Sequence, residues 1–172
     1  TISYSDVTIT ATDASGQSVT DNVRIRVAGE NAFTVAVMPD TQSYTSIASI
    51  NHTFGNMTEW LVSNKDSLNI QFVTHVGDIT QNNNAANWSV AEEALRKLDG
   101  EIPYSLAPGN HDQSLGGRAS DHSTDYLDSL FSPESQATVN PDTWGGNYDQ
   151  DPDSSANTYH TFTAPDGTKW MV

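Results

Sequence analysis

An α/β fold is the class this sequence predicts, and three observations carry it. Apolar, β-prone runs at residues 32–38, 70–76 and 103–106 alternate with two stretches of helical periodicity. Strand, helix, strand, helix, strand at this pace implies βαβ units and a largely parallel sheet. Each run also ends in a polar phrase: Met38-Pro-Asp-Thr-Gln42, His75-Val-Gly-Asp78 and Ala107-Pro-Gly-Asn-His-Asp112. Open α/β sheets place their ligands at such strand ends. Ahead of the first run, two period-2 segments predict a small β-hairpin.

In chain order, Val7, Ile9 and Ala11 alternate with Thr8 and Thr10. After Asp13-Ala-Ser-Gly-Gln17 the pattern resumes as Val23, Ile25 and Val27, with Arg24 and Arg26 between. A lone hairpin is marginal in water, so it is expected to belong to something larger. Its phrasing resembles the closing strands of an immunoglobulin-like or cadherin-like module. A hairpin docked on the main domain is the plainer alternative. Gly29-Glu-Asn31 reads as the junction, dividing the chain into 1–29 and 30–172.

The near-continuous apolar run 32–38 is expected to be buried on both faces. Ile47, Ile50, Phe54, Met57 and Leu61 follow at spacings of 3, 4, 3 and 4, one face of an amphipathic helix. Residues 70–76 form the second strand and 82–87 a polar loop. Val90, Ala94 and Leu98 mark a second helix over 88–98, and 103–106 a short third strand. Tyr126, Leu127, Leu130 and Phe131 predict a helix after Asp121. Residues 132–156, rich in Ser, Pro, Asp, Asn and Gly, read as a loop. The runs 158–163 and 169–172, joined at Pro165-Asp-Gly167, read as a final hairpin.

Composition narrows the function. The 172 residues suffice for one domain with a core and a small appendage. With 22 Asp and Glu against 7 Lys and Arg, the net charge is −15. Nucleic-acid phosphates need a basic footprint that this chain lacks, and anionic membrane surfaces would repel it. An acidic surface suits salty surroundings, or else some carboxylates hold cations. There is no cysteine, so thiolate metal sites are excluded. No membrane segment or signal peptide is legible. The start at Thr1 reads as a fragment or a processed piece. Nothing in the composition fixes the oligomeric state.

At the strand ends, Asp40 and Asp78 supply carboxylates, Gln42 and Asn110 amide oxygens, and His111 an imidazole. Hard oxygen donors mixed with imidazole suit Mn, Fe, Zn or Mg. Asp78, on the middle strand end, is placed to bridge two cations, the arrangement that clamps an in-line phosphoryl displacement.

Asp40-Thr-Gln42, Gly77-Asp78 and Gly109-Asn-His-Asp112, in that order after successive strands, resemble the calcineurin-like metallophosphoesterase superfamily, over about residues 33–112. That family's fold is two packed β-sheets flanked by helices. The resemblance implies hydrolysis of phosphate esters at two divalent metal ions. It assigns Asp40 to the first metal, Asp78 to both as a bridge, and Asn110 to the second. It places His111 beside the phosphate to stabilise charge or protonate the leaving oxygen, with Asp112 orienting His111.

Three departures from the family pattern stand out. Gln42 replaces the usual metal-binding His, as in an Asp-Thr-Gln branch of exported bacterial enzymes with accessory β-modules. That branch implies a secreted, cell-surface or periplasmic setting. The family's later histidine motifs are absent, since His122 and His160 have no Gly-His-x-His context. Several ligands are therefore expected to be missing and this piece to be weak or inactive. Gln81 stands where purple acid phosphatases carry Tyr. The rival reading is a non-catalytic extracellular binding or adhesion fragment that retains the fold. Asp149-Gln-Asp-Pro-Asp153 imitates the start of a calcium loop but reads as a solvated acidic segment. His75 reads as a core histidine.

Overall fold

The computed structural model describes residues 3–12, 15–27, 29, 31–148 and 151–172. They form two units, Thr1–Ala32 and Phe33–Val172. In the first, β1 (Ser3–Thr12) pairs antiparallel with β2 (Ser18–Val27), with Val7 opposite Val23 and Thr10 opposite Thr20. Cross-strand hydroxyl contacts, Thr10 to Thr20 at 3.2 Å and Thr12 to Ser18 at 2.7 Å, stitch the turn end.

The second unit opens with β3 (Thr34–Met38), α1 (Gln42–Ser46), α2 (His52–Ser63) and β4 (Ile70–His75). It continues with α3 (Ala85–Leu95), a 3-10 turn at Arg96–Leu98, β5 (Tyr104–Leu106) and a second 3-10 turn at Asn110–Asp112. Then come α4 (Asp125–Leu130), α5 (Pro133–Val139), β6 (Trp144–Asn147), β7 (Thr158–Thr163) and β8 (Lys169–Met171). The chain is thus α/β, with one parallel sheet in the order β3-β4-β5 and one antiparallel sheet in the order β6-β7-β8.

Pleat periodicity gives the parallel sheet two different faces. Ala36, Val73 and Tyr104 are register partners, as are Met38, His75 and Leu106. Met38, Val73, Tyr104 and Leu106 share one buried core with Phe54, Leu61, Trp88, Leu95 and Leu98 of the helices. Phe72 belongs to the opposite face. It stacks on Phe162 of β7 at 5.5 Å and meets the His160 ring edge-on at 5.4 Å. Phe33 and Trp170 extend that aromatic layer, which joins the two sheets.

Four expectations change. The run ending at Met38 is an edge strand, and Val37 is 62% exposed, so it is not buried on both faces. The helix predicted from the Ile47 to Leu61 spacing is α2 and begins only at His52; Ile47 ends α1 in extended backbone, and Ile50 sits in the turn between the two helices. The 82–87 stretch is largely helix entry, with the Asn84 side chain capping the Asn87 N–H at 2.9 Å. Residues 132–156 contain α5 and β6 rather than a continuous loop. Ser132 caps α5 through the Ser135 N–H, with Pro133 in its first turn. Asn140, just past α5, accepts the Tyr104 N–H at 3.2 Å and so satisfies an open edge of β5.

His160 lies at 1% exposure between Phe72 and Trp144, with Nδ1 unpartnered. Burial pulls its pKa down to about 4. The unfolded imidazole takes a proton near the ordinary value of about 6.5. Its contribution to stability is therefore full above pH about 6.5 and is lost as pH falls towards about 4. Thermal unfolding followed between pH 7 and 4.5 is expected to show this loss, and His160→Phe to flatten it. An unchanged slope in the variant would show that other groups carry the acid sensitivity.

Candidate metal centre

Register builds the site. Met38, His75 and Leu106 stand side by side at the ends of three parallel strands. The loops that follow therefore start from one edge, and they carry Asp40 and Gln42, then Asp78, then Asn110 and His111.

Hydrogen bonds fasten the three loops together. The Thr41 N–H donates to the Asp78 carbonyl at 3.1 Å. The Thr41 hydroxyl donates to the Ile79 carbonyl at 3.0 Å and lies 3.0 Å from His75 Nε2. With that hydroxyl proton committed, Nε2–H of His75 is the donor, and Nδ1 accepts the Gly77 N–H at 3.2 Å. Both nitrogens are used by the neutral ring, and burial pulls its pKa to about 4. His75 is thus the core histidine expected, with a structural task.

The second and third loops meet at Asp78 and Asp112. Asp78 has φ of 50°, and its Oδ1 accepts the His111 N–H at 3.0 Å. A Cβ on Gly109 would overlap the Asp78 carboxylate and backbone nitrogen, so this close approach requires glycine. Asp112 is fully buried. Its Oδ2 accepts the N–H groups of Ile79 and Gly109, each at 2.9 Å. Its Oδ1 accepts the Thr80 N–H at 2.7 Å and the Thr80 hydroxyl at 3.0 Å. Burial pushes this carboxyl above the usual range, and the four hydrogen bonds pull against that rise.

This corrects one expectation. Asp112 does not orient His111, because both of its oxygens are taken by the loop backbone and Thr80. Gln81 does so instead. Its carbonyl lies 2.7 Å from His111 Nδ1, and its side-chain amide nitrogen 3.3 Å away. Nδ1–H donates to that carbonyl, which leaves Nε2 as the outward nitrogen. Sequence gave no signal for this, since a backbone acceptor has no residue type.

Asp40 and Asn110 are exposed, while Asp78 and His111 are half-buried. Gln42 is half-buried, but its Oε1 is sealed from solvent and has no hydrogen-bond partner. A buried amide oxygen without a donor is costly, and a cation would satisfy it. The donors available are two carboxylates and two side-chain amides. Among the described residues no group of three or more His, Cys, Asp or Glu is placed to hold a metal ion. The residues fit hard cations by donor chemistry and by the orphaned oxygen.

A polar cleft of about 650 Å³ opens beside the motif loop, lined by Ala107, Pro108, Gln113, His122, Asp125 and Asp128 among others. His122 is held there by Gln113, Nδ1 to Oε1, at 2.8 Å. Tyr44 packs on the core and Trp144 on the His160 ring. In the acidic segment, Asp149 and Gln150 lie outside the described residues. Asn147 donates to the Asp151, Pro152 and Ser154 carbonyls at 3.1, 3.5 and 2.6 Å. No helix among the described residues is long and apolar enough to cross a membrane.

The calcineurin-like phosphoesterase family model matches residues 33–168. The chain is similar to the uncharacterized protein YvnB of Bacillus subtilis (strain 168), 38% identical over 85 residues. Those residues are 48% of this chain and 6% of YvnB, so the match covers a small part of that relative. No solved structure matches. Strand order, the two-sheet architecture and the extent of the family match agree: the chain belongs to the calcineurin-like phosphoesterase family.

Proposed function

We propose that this domain hydrolyses phosphate esters at a centre holding two divalent cations. The observation that carries the reading is that the segments bearing Asp40, Asp78 and Asn110 leave three in-register strand ends at one edge of the sheet, in a chain of phosphoesterase family. Asp40 and Gln42 are assigned to one cation, Asn110 to the other, and Asp78 to both. When bound, the cations neutralise charge on the phosphoryl group and activate water.

The protein's own residues supply the rest. His111 is anchored through its backbone to Asp78 and through Nδ1 to Gln81. A proton on Nε2 therefore faces away from both anchors, where it can pass to the departing oxygen. Asp112 acts on the loops and not on the proton. The cleft beside Pro108 accommodates the alcohol portion of the ester. An exported or cell-surface setting, where an acidic surface is well tolerated, belongs to the same proposal. The rival reading is a non-catalytic extracellular binding module with this fold, and the sparse donor set is the observation that favours it.

Release of p-nitrophenol from p-nitrophenyl phosphate is the direct test. Manganese is expected to stimulate it, and Asp78→Asn to lower the rate at least about 100-fold while leaving the fold intact. An unstimulated rate with manganese, magnesium, iron and zinc alike would sink the catalytic reading in favour of the binding module. Asp112→Asn should behave differently. Its amide would face two N–H or O–H donors, costing roughly 2–4 kcal/mol of stability. Denaturant unfolding checks this, and a stability unchanged from wild type would show that the loop clamp is not limiting.

A further inference from the structure

Directly after Asp112 the chain makes an excursion, residues 113–123, that closes on itself. The Ser114 N–H donates to the Ser123 carbonyl at 2.8 Å, and the Ala119 N–H to the Gln113 carbonyl at 3.2 Å. The Ser114 hydroxyl and the Ser123 N–H and hydroxyl all donate to Asp121 Oδ1. Asn83, from the loop after β4, donates to the Ser114 carbonyl at 2.7 Å and ties the excursion to that loop.

Three residues here, Ser114, Ala119 and His122, hold left-handed backbone, with φ of 59°, 47° and 60°. Such backbone is costly outside glycine and persists where the surrounding structure over-determines it. At His122 the result is a placed side chain that is exposed and adds nothing to the core. Its Nδ1 lies 2.8 Å from Gln113 Oε1. An amide oxygen can only accept, so Nδ1–H is the donor. Nε2 is then the acceptor of the neutral ring, and it has no partner among the described residues.

The ring lines the cleft of about 650 Å³ beside the motif loop. Ala107, Pro108 and Gln113, which flank Asn110 and His111 in the chain, line it too. The other walls accept hydrogen bonds more readily than they donate them. Asp125 and Asp128 offer carboxylates, and the Thr124 hydroxyl proton is already given to Asp128 Oδ2 at 2.9 Å. Among the described residues, none that lines the cleft is Lys, Arg or aromatic. There is thus no cation for a second phosphate and no ring for a flat apolar group.

We infer that His122 is a specificity residue whose Nε2 accepts a hydrogen bond from the alcohol portion of the ester, selecting alcohols rich in O–H or N–H donors. Gln113 is the positioning residue that holds the Nδ1–H tautomer. This rests on the phosphoesterase reading above and deepens it by naming the substrate class. Polyols and amino alcohols carry such donors, whereas phenyl groups carry none. An alcohol without them would leave the acceptors of the cleft desolvated and unpaired.

The test reads binding, through proton–nitrogen correlation spectra of the imidazole rings with magnesium present, at a pH where the rings are neutral. Sorbitol phosphate, ethanolamine phosphate, phenyl phosphate and inorganic phosphate are the probes. Free His122 is expected as the Nδ1–H tautomer, and Gln113→Leu to lose that preference. Its Nε2 signal is expected to move with sorbitol phosphate or ethanolamine phosphate, and the one that moves it identifies the donor as hydroxyl or ammonium. Phenyl phosphate and inorganic phosphate are expected to move His111 and leave His122 in place. Asn tolerates left-handed backbone but is too short to reach where Nε2 stands. His122→Asn is therefore expected to lower affinity for the preferred ester about tenfold relative to phenyl phosphate.

If His122 stays unmoved while His111 responds to every probe, the specificity role is overturned and the phosphoesterase reading stands. An equal His122 shift with phenyl phosphate, or an affinity ratio unchanged in His122→Asn, has the same consequence. If no probe moves His111, the phosphoesterase reading fails and this inference with it.

Discussion

The buried carboxylate of Asp112 is the interaction on which the arrangement of the site depends. Two parallel strands, β4 and β5, end side by side, but nothing in a strand end dictates where the following loop goes. Asp112 settles this by collecting donors from both loops: Gly109 from its own, Ile79 and Thr80 from the neighbouring one. A buried carboxylate is expensive unless its lone pairs are used, and here four donors use them. The cost of desolvation thus becomes geometric specificity, because displacement of either loop would leave the charge uncompensated. Asp78 and His111 are set by this clamp, through the Gly109 approach and the His111 N–H.

The same logic extends outward through uncharged amides. Asn83 accepts the Trp88 indole N–H at 2.6 Å and donates to the Ser114 carbonyl at 2.7 Å. Asn87 accepts the Asn82 N–H at 3.0 Å and donates to the Thr45 carbonyl at 2.9 Å. These bonds tie the loop after β4 to α1 on one side and to the loop after β5 on the other. In a chain only 35% hydrophobic, polar knots take over part of the positioning that apolar packing supplies elsewhere. They need full satisfaction to do so, and each Asn here meets partners on both its oxygen and its nitrogen.

Much of this was legible in the sequence, for reasons that particular residues make plain. Strands β3, β4 and β5 announce themselves by apolar runs, and the helices between them by spacing, so the βαβ order follows. The final hairpin was legible from Pro165-Asp-Gly167, and the motif phrases from their position after strands. β6 was not legible, since Trp144-Gly-Gly-Asn has the composition of a turn. The structure shows why glycine is there: a Cβ on Gly145 would collide with the Tyr159 ring. α5 was hidden in a polar stretch whose Ser132-Pro133 cap is a signal too short to outweigh composition. The task of Asp112 was misread because its partners are backbone N–H groups, which look alike in every sequence. The hold of Gln81 on His111 escaped notice for the same reason, since its carbonyl and not its side chain carries the shorter contact.

Charge ties the chemistry to the ions. Asp40 and Asp78 bring two carboxylates to the site in a chain of net charge −15, and the proposed phosphate ester adds negative charge of its own. Two like charges 4 Å apart repel by about 4 kcal/mol at the effective dielectric of a protein surface. None of the site residues is a lysine or arginine. Of the chain's seven, Arg96 is held by Glu92 and Asp99, and Lys97 by Glu59. In the proposed reading, attraction for a phosphate comes from cations seated on the carboxylates. On that proposal the acidic surface, the amide donors and the divalent ions belong together: the chain supplies oxygen, and the positive charge for phosphate-ester hydrolysis is taken from solution.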